Sequence, residues 1–91
     1  MKHYCIADYK SATAFRLLNI PTYEANAANQ ALKVFHDIVK MEDAGIILIT
    51  DSVANMIRQE LVRFTAKNTI PIVLEIPSYE GAVSGIGKEH E

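Results

Sequence analysis

Three carboxylates are the first residues that could do chemistry. Asp8 follows the apolar run Tyr4-Cys5-Ile6-Ala7, Asp51 follows Gly45-Ile46-Ile47-Leu48-Ile49-Thr50, and Glu75 lies inside Ile72-Val73-Leu74-Glu75-Ile76. Acids gathered beyond the ends of parallel strands can hold Mg²⁺ through oxygen ligands and support phosphoryl transfer. A second candidate is Gly81-Ala82-Val83-Ser84-Gly85-Ile86-Gly87-Lys88, since glycine-rich turns let phosphate approach the backbone at a helix N-terminus.

The remaining reactive types are scattered. His3, His36 and His90 have no ligand spacing, and His36 shares a helical face with Lys33, Asp37 and Lys40. Cys5 sits within an apolar run, where a small core residue is the plain reading, and no Gly-x-Ser-x-Gly elbow precedes a helix. A lone cysteine also implies no disulfide framework and a reducing, cytosolic setting.

Four short apolar runs alternate with three segments of helical period, the pattern of a parallel sheet with crossover helices. Strands are predicted at His3 to Ala7, Thr22 to Glu24, Gly45 to Thr50 and Ile70 to Ile76. The first helix starts near Ser11 as N-cap and buries Ala14 or Phe15 with Leu18. Asn19 then takes the left-handed turn that ends it. The second, about Ala27 to Lys40, carries the stripe Ala28, Ala31, Leu32, Phe35, Ile38 and Val39, opposite Asn29, Lys33, His36, Asp37 and Lys40. Asp51 or Ser52 caps a third helix with Val53, Ile57, Leu61 and Phe64 inward.

The unbroken apolar run at 45–50 predicts a central strand buried on both faces. The short second strand after Pro21 and the fourth, bounded by Pro71 and Pro77, suit edges. The expected fold is a small doubly wound α/β domain, Rossmann-like or receiver-like. It has a four-stranded parallel sheet of order 2-1-3-4 and helices on both faces. Residues 1–78 form this domain. Residues 79–91 form a glycine-rich flexible segment, given mobility by Gly81, Gly85 and Gly87.

These elements decide the chemistry. A dinucleotide loop needs a helix, a further strand and an acid about 20 residues on, but only four residues follow Gly87. A P-loop would put its first glycine on Ala82 and its magnesium-binding hydroxyl on Glu89. A receiver-like signalling domain would use Asp8 and Asp51, yet it needs paired acids after the first strand and a lysine after a fifth strand. Here Asp8 stands alone and no fifth strand is predicted. The plainer use of Asp51 is as a helix cap, with Asp8 solvated. Glu75 stays open between a solvent-facing residue, a polar anchor for a loop and part of a binding surface. No catalytic group, cofactor or metal site is expected.

With 91 residues the chain has room for one core. It is 49% apolar and 22% charged, with a net charge of −2, and its nine Lys and Arg form no basic stripe. Nucleic acid is therefore not an expected partner. No apolar run approaches the about 20 residues that span a bilayer, and Met1-Lys2-His3-Tyr4 has no signal-peptide pattern. Any membrane connection must come through another protein.

Four local stretches, in order along nearly the whole chain, carry a family resemblance. They are Ala14-Phe15-Arg16-Leu17, Gly45-Ile46-Ile47-Leu48-Ile49-Thr50, Ser52-Val53-Ala54 and the Glu75-Ile76-Pro77-Ser78 end of the fourth strand. Through them the sequence resembles the F subunit, the small central-stalk component of V-type and archaeal-type ATPases. The resemblance implies a non-catalytic rotor component that packs on the coiled-coil D subunit of the stalk and links the catalytic head to the membrane ring. It implies a cytoplasmic location, peripheral to the membrane. Two departures stand out: Asn19 replaces a glycine common in the family, and the family's C-terminal helix past the glycine-rich segment has no counterpart before Glu91.

For the partner surface, the expected residues are Arg16, Ile20 and Tyr23 around the end of the first helix, and Glu75, Pro77, Ser78 and Tyr79 at the end of the fourth strand. Arginine and aromatic side chains are enriched at interfaces, which favours Arg16, Tyr23 and Tyr79. Phe15 and Leu17 are read as core.

Overall fold

In the computed structural model, which describes residues 2–79, the chain runs β1 (Lys2–Ala7), α1 (Tyr9–Leu17), β2 (Tyr23–Glu24), α2 (Ala28–Val39), β3 (Ala44–Thr50), α3 (Asp51–Met56), α4 (Arg58–Lys67) and β4 (Ile72–Ile76). The glycine-rich motif and all but Tyr79 of the segment expected at 79–91 lie outside the described residues. The four strands are parallel in the order β2-β1-β3-β4, as the alternating pattern predicts.

Register follows from which side chains can be buried together. Ile6, Ile47 and Ile49 are fully buried on one face, where they meet Phe35 and Ile38 of α2, Val53 and Ala54 of α3, and Leu61 of α4. Phe35 packs edge-on against Phe64, with ring centroids 5.3 Å apart at 85°. Each Ile, Val, Leu or Phe side chain so buried contributes about 1.5–3 kcal/mol on leaving water. The α2 stripe behaves as its spacing predicts at Ala31, Leu32, Phe35, Ile38 and Val39, while Ala28 is exposed.

Helix starts depart from expectation. Asp8, not Ser11, is the N-cap of α1, and its carboxylate accepts from the Ser11 N–H at 3.2 Å. Ser11 instead lies buried in the first turn with Ala12, while Ala14 and Phe15 are half-buried and Leu18 is exposed. The reason is width: α1 rests on the narrow β1–β2 side through small residues and needs little apolar area. Its end follows the sequence reading. Asn19 has φ 62°, and the N–H groups of Asn19 and Ile20 donate to Arg16 O and Phe15 O, the paired bonds of a Schellman cap.

The predicted third helix is two. Ile57, at φ −126° and ψ 30°, separates α3 from α4 while staying buried. Val53, Ile57, Leu61 and Phe64 all still reach the core, so the apolar spacing survives the break. Neither Asp51 nor Ser52 caps α3: the N-cap position is Thr50, without a side-chain capping bond.

Connection handedness decides what each face of the sheet carries. Right-handed crossovers in this strand order put β1→β2 on one side and both later connections on the other. Accordingly α1 packs on β1 and β2, and α3 packs on β1, β3 and β4. Both outer strands are edges, as expected from their prolines and shortness.

Candidate functional site

The crevice beyond the carboxyl ends of the strands is where a doubly wound sheet usually binds ligands. Here the chain's own groups fill it. Asp8 Oδ1 accepts from Ser52 Oγ at 2.7 Å, Ser11 Oγ at 2.8 Å and Thr50 Oγ1 at 3.4 Å. Burial works to raise the Asp8 pKa, but the hydrogen bonds from Ser52 and Ser11 outweigh it and hold the carboxyl below its ordinary value. The expectation of a solvated Asp8 is therefore replaced by a half-buried, fully engaged carboxylate that joins β1, β3 and α1.

Asp51 is engaged as well. Its Oδ1 accepts from the Ser78 N–H at 3.1 Å, and the Ser11 hydroxyl accepts from the Tyr79 N–H at 2.7 Å. Pro77-Ser78-Tyr79 is thus fastened across the ends of β1 and β3 as a strap. A phosphoacceptor site needs an aspartate oxygen open to a phosphoryl donor, whereas this one holds a backbone amide. Among the described residues, no group of three or more His, Cys, Asp and Glu is placed to hold a metal ion.

Glu75 points to the opposite side, toward α4. Arg58 clamps it with two bonds, Nη1 to Oε2 at 2.8 Å and Nη2 to Oε1 at 2.9 Å, and Nη2 also donates to Asn55 Oδ1 at 2.6 Å. The guanidinium keeps the Glu75 carboxyl below its ordinary pKa. A planar two-point pair of this kind fixes orientation, and here it ties edge strand β4 to the start of α4.

The expected contact residues separate into three places. Arg16 donates to Glu24 Oε1 at 3.4 Å and Thr22 O at 3.2 Å, which puts it beside Tyr23, whose ring lies 6.2 Å from that of Tyr4. Ile20, 39% exposed, lines a groove with His3, Cys5 and Leu48. Tyr79 is half exposed and lines another groove along α1 with Lys10, Thr13, Ala14 and Leu17, whereas Ser78 is buried. Pro77 is exposed between Ile76 and Ser78, and Glu75 faces α4. Leu17, read as core, is 81% exposed.

The sequence reading missed an exposed apolar row on β3 and β4. Ile46 and Leu48 are only half-buried, against the expectation that β3 is covered on both faces. Their partners in register, Ile72 and Leu74 of β4, are about half exposed. Val73, between them, packs on the core with α4, so Ile72 and Leu74 face the α1 side, where among the described residues α1 packs chiefly on β1 and β2. The signal was available in the strand order, because one crossover helix cannot cover four strands.

Comparison with known proteins adds an independent observation. The family model described as ATP synthase (F/14-kDa) subunit matches residues 4–90. The F subunit of the A-type ATP synthase of Methanocaldococcus jannaschii is 29% identical over 94% of this chain and 84% of its own length. The F subunits of the V-type ATP synthases of Fusobacterium nucleatum and Clostridium perfringens are 33% and 31% identical, over 87% and 92% of this chain and 73% and 77% of theirs.

Proposed function

The chain belongs to the family of the ATP synthase (F/14-kDa) subunit, and from that premise we propose that it is the non-catalytic central-stalk F subunit of a V/A-type ATPase. In this role it binds the coiled-coil D subunit of the stalk, turns with it, and helps couple ATP hydrolysis or synthesis in the catalytic head to ion movement through the membrane ring. Head and ring adaptor are its further neighbours, and it works on the cytoplasmic side, peripheral to the membrane. No helix among the described residues is long and apolar enough to cross a bilayer, which fits attachment through other subunits.

The observation that carries the reading is the match over residues 4–90. The filled crevice supports it: Asp8 and Asp51, the acids a receiver-like domain would use, hold Ser52, Ser11 and Ser78 instead. A rotor element transmits force through shape and contact, so it needs a rigid fold and a docking surface. The strap and the Arg58–Glu75 clamp supply rigidity at both faces of the sheet.

Co-expression with the coiled-coil stalk subunit of the same complex, followed by size exclusion, tests the reading. The two chains are expected to co-elute as a stable pair. Separate elution rejects the stalk assignment.

A further inference from the structure

β4 ends the sheet on one side, and register shows which of its backbone groups face outward. The Ala7 carbonyl accepts from the Ala25 N–H at 2.9 Å, so β1 turns the backbone groups of Cys5 and Ala7 toward β2 and those of Tyr4 and Ile6 toward β3. In a parallel ladder a residue bonds to the two neighbours of its register partner, while the partner's own groups point the other way. The pairs Ile6↔Ile49 and Ile49↔Glu75 therefore turn Glu75 outward, and Tyr4↔Ile47 and Ile47↔Val73 do the same for Val73. Among the described residues β4 pairs with β3 alone, so the N–H and C=O groups of Val73 and Glu75 have no ladder partner there. An edge of this kind is a template for another strand.

The sequence of β4 and its flanks fits that edge to itself. Pro71-Ile72-Val73-Leu74-Glu75-Ile76-Pro77 reads nearly the same in both directions about Leu74. Two copies laid antiparallel across a two-fold axis at Leu74 set Val73 opposite Glu75 of the second copy, and these are the residues whose groups point outward. Each such pair exchanges two N–H···O=C bonds, which makes four across the junction. At the next outward position Pro71 meets the second copy's Pro77, neither has an N–H, and the ladder stops at both ends. Leu74 meets Leu74 in a close, non-hydrogen-bonded pair and Ile72 meets Ile76, on the face where Ile72 and Leu74 are 51% and 47% exposed. Glu75 faces an apolar residue while its own Arg58 holds its charge, so no like charges are directly opposed. The strap leads away from this edge, since Ser78 and Tyr79 bond to Asp51 and Ser11 across the ends of β3 and β1.

We propose that this chain, when free of other subunits, pairs with a second copy of itself through β4, edge to edge and antiparallel about Leu74. Two four-stranded sheets become one of eight strands. The junction is isologous and closed, so association ends at the dimer. It lies at the opposite end of the sheet from β2, where Arg16 bonds Glu24, and it forms without any stalk subunit.

Sedimentation velocity of the chain alone at rising concentration is expected to show wild type passing from monomer to dimer with no larger species. Leu74→Lys sets like charges face to face at the axis and should weaken the dimer about tenfold or more. Leu17→Lys, at the exposed end of α1, should leave it unchanged, and thermal melts establish that both variants fold. Cross-linking reads the register. Facing Cα atoms of a non-hydrogen-bonded antiparallel pair are about 4.5 Å apart, within disulfide reach. Leu74→Cys should therefore form an intermolecular disulfide under mild oxidation, whereas Ile72→Cys, about 14 Å from its own symmetry mate, should not. Cys5 is 3% exposed and does not compete. A wild type that stays monomeric at millimolar concentration overturns the proposal. So does a dimer that a folded Leu74→Lys retains, that Leu17→Lys abolishes equally, or that cross-links alike at positions 72 and 74. If Leu74→Lys fails to fold, the two cysteine variants decide alone.

Discussion

The backbone N–H of Tyr79 donates to the Ser11 hydroxyl at 2.7 Å, and that hydroxyl donates in turn to Asp8 Oδ1 at 2.8 Å. Two ends of the domain, the first turn of α1 and the chain leaving β4, are joined through one buried oxygen. Ser11 is only 1% exposed, so nothing else can take its place without opening the crevice. Removing a buried partner costs more than the bond was worth, because the groups left behind remain desolvated.

Ser11→Ala should therefore lower stability by about 1–3 kcal/mol. Urea unfolding at neutral pH measures it through the midpoint at constant slope. A shift within error of zero would mean that the strap is not held through this hydroxyl.

Asp8 should give the protein part of its acid sensitivity. Its carboxyl titrates below the ordinary value when folded, despite burial, because Ser52 and Ser11 donate to the ionised form. A depressed folded pKa adds stability above the unfolded value of about 3.9, and that stability is lost as pH falls through the folded value. The stability of wild type minus that of Asp8→Asn should then shrink between pH 6 and pH 3, where these limits are set at roughly two units above and one below the unfolded pKa. A difference independent of pH contradicts the assignment of these bonds to the charged form.

Asn19 sits at φ 62°, in the left-handed region that costs a residue with a Cβ about 1–2 kcal/mol unless its side chain compensates. Asn19→Ala should destabilise by about 1 kcal/mol, and Asn19→Gly should match or slightly exceed wild type. Equal melting temperatures for the two variants would show that the turn is not set by this residue.

Local chemistry made much of this fold readable. The alternation of apolar runs with helical periods, the stripe from Ala31 to Val39 and the turn at Asn19 each depend on neighbours a few residues apart, so the sequence displays them directly. What depends on distant partners was not readable. Asp8 looked solvated because two of its donors, Thr50 and Ser52, lie more than forty residues away, and because the nearby Ser11 was read as the cap and not as a donor to Asp8. Asp51 looked like a cap because its true partner, the Ser78 amide, is contributed by the chain beyond β4. Ile57 still fits the apolar spacing of one long helix, so its break between α3 and α4 left no mark in the periodicity. The apolar row exposed on β3 and β4 among the described residues was hidden for a different reason. An uninterrupted run such as Gly45 to Thr50 reads as doubly buried whether the second cover comes from its own chain or from another protein.

The central claim is that this domain acts by docking on a helical shaft, and calorimetric titration into the purified coiled-coil stalk subunit tests it most directly. The account predicts saturable heat at one-to-one stoichiometry, with a negative heat-capacity change from burying apolar surface. Absence of saturable heat across the temperature range, with both proteins folded, would contradict it.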